Sequence, residues 1–135
     1  MTDSVPSTLI RVSAVVLRDE AGHILTVRKR GTSRFMLPGG KPEAGESAAQ
    51  AAVRECQEEI HVTLEAADLE LLGTFTAPAA NEPGHQVEGT VFLHAAVEVD
   101  RPAAEIDELR WLDPAAPLPG DLAPLLEHHV LPLLG

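Results

Sequence analysis

The stretch Gly40-Lys-Pro-Glu-Ala-Gly-Glu46-Ser-Ala-Ala-Gln-Ala-Ala-Val-Arg54-Glu55-Cys-Gln-Glu58-Glu59-Ile-His-Val62 decides how the chain is read. From Ser47 to Ile60 it contains no Gly or Pro and is rich in Ala and Glu, which predicts a helix. At 100° per residue Ala49, Ala52, Val53, Cys56 and Ile60 share one stripe, which is the face expected to be buried. Glu55, Glu58 and Glu59 share another face, at spacings i, i+3 and i+4. Like charges at those spacings repel, so helix stability does not account for them. A solvated acidic face is one reading. A hard divalent cation is the other, because Mg²⁺ takes carboxylate oxygens and keeps several of its waters.

The residues leading into this helix favour the second reading. Leu37-Pro38-Gly39-Gly40 forms a turn after a short apolar run, and Glu43 to Glu46 is an acidic loop. The whole stretch resembles the Nudix box, G-x5-E-x7-R-E-U-x-E-E-x-G-U with U aliphatic. Gly40, Glu46, Arg54, Glu55, Glu58, Glu59 and Val62 match it in register. Cys56 stands at the first aliphatic position, where a buried thiol serves as a small hydrophobe. His61 stands where the family has the Gly that ends the helix with positive φ. His is tolerated in the left-handed region but fits it less well than Gly.

At 135 residues the chain suits one domain, expected over 9–135 after a loose polar tail at 1–8. No apolar run approaches the ~18 residues of a membrane span, and Met1 to Thr8 lacks an apolar signal region. A single cysteine excludes an internal disulfide and fits a reducing cytoplasm. The net charge of −11 disfavours DNA or long RNA as partners. A small phosphorylated substrate remains compatible, given a metal and a local basic patch.

Leu9 to Leu17 reads as a strand, with His23 to Arg30 as its hairpin partner across the Asp19–Gly22 turn. Phe35 to Leu37 reads as a short strand into the motif. After the helix, Leu69 to Thr76 and Val87 to Val99 read as strands around a loop at 77–86. Glu108 to Leu112 is a short strand, and Asp121 is an N-cap candidate for a last helix that Pro132 should end or kink. Strands, helix, strands and helix in that order give an α/β fold with a mixed sheet between helices. The Nudix family has such an α/β/α sandwich.

The resemblance implies the chemistry. Nudix enzymes hydrolyse a nucleoside diphosphate linked to another group, with water attacking phosphorus. Glu55, Glu58 and Glu59, with the Gly40 carbonyl, would hold Mg²⁺, or Mn²⁺ in its place. Arg54 sits among these catalytic residues and, paired with Glu46, would brace the loop against the helix. A further carboxylate beyond the motif often serves as ligand or base, and Glu105 is the best match, ahead of Glu82 and Glu88. Arg28, Arg30, Arg34 and Lys41, with Lys29 beside them, form the basic cluster expected to meet a diphosphate. Cys56 faces the core and is not a nucleophile candidate. The leading substrate is a (d)NTP of the MutT-like kind. The alternatives are ADP-ribose or a nucleotide sugar, toward which Pro78 points, and a nucleotide-binding module without catalysis. Family members often form homodimers.

Overall fold

The computed structural model describes residues 9–80, 84–97, 99 and 106–134. The expected tail at 1–8, Glu82 and Glu105 therefore lie outside the described residues. Among the described residues there are six strands, one long helix and a C-terminal helix: β1 Leu9–Val16, β2 Ile24–Lys29, β3 Gly39–Gly40, α1 Ala48–Ile60, β4 Glu70–Pro78, β5 Gln86–Leu93 and β6 Ile106–Leu112. A four-stranded mixed sheet runs β3-β1-β5-β4, and β2 pairs with β6 in a second, two-stranded sheet.

β1 is the centre of the arrangement. It pairs in parallel with β5 along its whole length and antiparallel with β3, where Ser13 faces Gly40 and Ala14 faces Gly39. Side chains alternate along a strand, and here both faces are apolar because both are covered. Ala14 and Val16 join Ile24, Leu122, Leu126 and Val130 in one core beside the C-terminal helix. Val15 and Leu17 join Leu25, Val27, Ala52, Cys56 and Ile60 in a second core against α1. Each large aliphatic side chain so buried contributes roughly 1.5–3 kcal/mol. This is the α/β/α sandwich that the element order implied.

The hairpin expectation for β2 needs correction. A turn does join β1 to β2, with an Arg18–Ile24 bridge and a 2.9 Å bond from Leu25 N–H to the Leu17 carbonyl. The ladder partner of β2 is nevertheless β6, from Ile24 opposite Leu112 to Lys29 opposite Ile106. A run buried on both faces can leave its sequence neighbour for a distant strand, which local patterning does not reveal. Phe35 to Met36 makes only single bridges, to Leu122 and to Val27.

The helix α1 starts with a capping box. Ser47 Oγ accepts from Gln50 N–H at 3.1 Å, and the Gln50 side chain accepts from Ser47 N–H at 2.9 Å. It ends at His61, which takes φ 58° and ψ 29°, the one positive-φ residue other than Gly among those described. Asp121 does not cap the last helix. Its carboxylate is taken by Arg110 at 2.6 and 3.1 Å, and the helix begins with wide π-helical turns over Leu125–Val130. It continues as α-helix over Leu131–Leu134, so Pro132 does not end it. The widened turns precede the proline, whose ring would crowd the carbonyl four residues back.

Candidate active site

Gly39 and Gly40 let β3 lie close to two neighbours. A Cβ at Gly39 would stand 2.0 Å from the Ser13 carbonyl oxygen, and one at Gly40 would stand 2.5 Å from the Glu55 carboxylate. Only glycine leaves that room. The Gly39 N–H donates to Glu59 Oε1 at 3.1 Å, tying β3 to the last turn of α1.

The three motif glutamates share a helix face but differ sharply in environment. Their side chains are 16% exposed at Glu55, 57% at Glu58 and 6% at Glu59. Burial pushes the Glu59 carboxyl up to about 7, against the pull of Lys29, whose Nζ lies 3.3 Å from Oε2. The same burial pushes the Cys56 thiol up to about 12, which keeps it protonated and unreactive.

Arg54 is the hub of the other carboxylates. Its Nε and Nη2 donate to the two Glu46 oxygens at 2.8 and 3.0 Å, a bidentate pair. Its Nη1 donates to Glu55 at 3.0 Å and Glu58 at 3.1 Å, and Nη2 also reaches the Lys41 carbonyl at 3.0 Å. Glu46 first, then Glu55 and Glu43, raise the Arg54 pKa further, and the hydrogen bond from Arg54 holds Glu46 below its ordinary value. Arg54 thus fastens the acidic loop to α1 while its other end reaches the two glutamates.

Glu55, Glu58 and Glu59, but not Arg54 or Glu46, line a cavity of about 460 Å³. Lys29, Lys41, Gly39, Gly40, Glu55, Glu58 and Glu59 form its charged end, while Ile10, Val12, Val87, Pro78, Leu125 and Leu126 line its apolar part. The buried Ser13, whose hydroxyl has no partner among the described residues, also lines it.

The basic cluster is divided. Lys41 lines the cavity, and so does Lys29, but Arg28, Arg30 and Arg34 do not. Arg28 bonds the Thr32 carbonyl and Asp107, both at 3.0 Å, and lies 3.5 Å from Glu108. Arg34 bonds the carbonyls of Gly120 and Leu122 at 3.3 and 3.2 Å, and Arg30 is exposed. On β2, Lys29 alternates with Arg28 and falls on the face that carries Leu25 and Val27. That alternation could have singled out Lys29 from the sequence.

Among the described residues, no three carboxylate, imidazole or thiol groups stand close enough to form a ready-made metal cluster. Lys29 and Arg54 hold the glutamates as ion pairs instead. The donor set still suits a hard divalent cation: its side-chain donors are all oxygens, one carboxylate is buried, and Gly40 clears the space in front of Glu55.

The NUDIX domain model matches residues 8–133. The chain belongs to the Nudix family. Among curated proteins it is 31% identical over 100 residues to the "Putative 8-oxo-dGTP diphosphatase" of Bacillus subtilis, covering 74% of this chain and 64% of that protein. It is 32% identical over 111 residues to the "Octanoyltransferase" of Myxococcus xanthus, covering 80% of this chain but 31% of that protein. The chain thus spans less than two thirds of either relative. A MutT Nudix hydrolase from Burkholderia pseudomallei has the same fold, at TM-score 0.73 and 23% identity, with 93% of this chain and 95% of that one covered. No helix among the described residues is long and apolar enough to cross a membrane.

Proposed function

We propose that this Nudix domain is a Mg²⁺-dependent pyrophosphohydrolase that cleaves a nucleoside diphosphate linked to another group, with a (d)NTP as the leading substrate. The observation that carries this reading is the cavity itself. Carboxylates and lysines gather at one end of it, beside a glycine that leaves room for a carboxylate, and an aliphatic chamber adjoins. A diphosphate fits the first part and an organic group the second. The name of the Bacillus subtilis relative points to the same substrate class.

Glu55, Glu58 and Glu59, with the Gly40 carbonyl, would hold the cation, which neutralises the diphosphate and lowers the pKa of bound water. Glu46 and Arg54 keep the loop and the glutamates in place. Lys41 and Lys29 face the anionic part of the substrate. Glu105, from the resemblance, supplies a further carboxylate as ligand or base. A cytoplasmic setting and a homodimer belong to the same reading.

Pro78 lines the cavity, which favours ADP-ribose or a nucleotide sugar as the second reading. Product analysis with a nucleotide panel and Mg²⁺ separates the two. A (d)NTP releases pyrophosphate and the monophosphate, whereas ADP-ribose releases AMP and ribose 5-phosphate. Turnover of neither class, with nucleotide binding retained, would replace the enzyme by a binding module.

A further inference from the structure

Lys29 and Arg54 both neutralise motif glutamates, but they are held very differently. Arg54 is fixed by the bidentate Glu46 pair and by the Lys41 carbonyl, with contacts of 2.8–3.0 Å. Among the described residues, Lys29 has only Glu59 Oε2 at 3.3 Å and the Gly39 carbonyl at 3.4 Å. Both exceed the roughly 2.7–2.9 Å of a strong charge-assisted bond. Its stem is unbranched and flexible, its ammonium a compact charge, and its side chain is 35% exposed at the cavity wall. The carboxylate that it neutralises is almost fully buried, so the ionised form of Glu59 depends on a neighbouring cation, and the loosely held Lys29 can give way to another.

We propose that Lys29 is a displaceable counter-ion, which holds the Glu59 carboxylate until a divalent cation takes it and then turns to the substrate's phosphates. The inference rests on the metal role given above to Glu59. A divalent cation and an ammonium repel each other at that distance, so occupation of Glu59 by one drives off the other. The freed ammonium stays in a cavity built for an anion. Metal and substrate therefore bind with mutual assistance, each raising the affinity of the other by the same factor. Lys29 is a positioning residue in this scheme.

The chain contains two lysines, Lys29 and Lys41, so amine labelling reads the pair directly. Reductive methylation of the full protein is followed by mass spectrometry in EDTA, with saturating Mg²⁺, and with Mg²⁺ plus an α,β-methylene nucleotide. The α-amino group serves as the reference, and calorimetry reports Mg²⁺ binding. An amine held between two oxygens reacts slowly. Mg²⁺ should speed labelling of Lys29 by about fivefold or more, and the nucleotide should slow it again. In Glu59→Gln, Lys29 should label fast in EDTA and ignore Mg²⁺. Bound Mg²⁺ with unchanged Lys29 labelling overturns the displacement and leaves the metal reading standing, as does slow labelling of Lys29 in Glu59→Gln. No binding of Mg²⁺ by the wild-type protein overturns both.

Discussion

Glu59 is the residue where the conflict between stability and chemistry is sharpest. Its folded pKa of about 7 lies above the ordinary 4.5 because burial penalises the charge more than Lys29 and the Gly39 N–H repay it. The folded protein therefore holds a proton more tightly than the unfolded chain. Stability contributed by this group is full below about pH 4.5 and is lost as pH rises toward 7, on the order of 3 kcal/mol over that window. In EDTA, Glu59→Gln should gain melting temperature over the wild type at pH 8 but not at pH 4.5; a gap that is the same at both values would contradict the assignment. His61 carries strain of another kind. Its φ of 58° is left-handed, where a Cβ costs roughly 1 kcal/mol or more. His61→Gly should raise stability by about 1 kcal/mol in urea unfolding, and a loss would exclude a strained cap. The sequence showed the substitution at a position reserved for Gly, but not the dihedral. Nor did it show that Glu59 alone of the three glutamates is buried, because helical phase says which face a residue shares and not how deep that face sits.

Among the elements, α1 was legible almost to the residue. The glutamates and the lack of Gly or Pro agree, as do Ala52, Cys56 and Ile60 of the apolar stripe; Ala49 and Val53 are half-buried and the buried Ala51 was missed, and Ser47 with Gln50 carries a capping box that propensity alone overlooked. Ser47→Ala should cost about 1 kcal/mol of stability in urea unfolding, because it frees the Gln50 N–H. It should leave kcat unchanged, since Arg54 and the glutamates lie two turns away; a large loss of kcat would mean that helix entry positions the site. The strands were harder. Their existence was readable, but partnership was not, since β1 pairs in parallel with β5 from far along the chain and β2 pairs with β6. The last helix was misplaced at its start for a specific reason: Asp121 looks like a cap in sequence, yet Arg110, stacked 3.7 Å over the Phe35 ring, claims its carboxylate.

At the scale of the whole molecule, an acidic protein of net charge −11 keeps two lysines, and both line one cavity. That cavity draws on β1, β2, β3, β4, β5, α1 and the C-terminal helix, so its shape follows from the sandwich rather than from any single motif. The motif singled out the glutamates, the resemblance placed Arg28 near a phosphate, and nearness in sequence added Arg30, Arg34 and Lys41; of these four cations Lys41 lines the cavity. Strand alternation and the Asp107 and Glu108 partners on β6 remove Arg28 from it. The proposed metal role of the glutamate face of α1 sets it apart from a solvated acidic surface. It is tested most directly by kcat for Glu58→Gln and Glu59→Gln, measured on the best nucleotide of the panel across a Mg²⁺ titration. Both variants should remain folded and lose about a hundredfold or more in kcat. Near-normal turnover in both, at ordinary Mg²⁺, would contradict it.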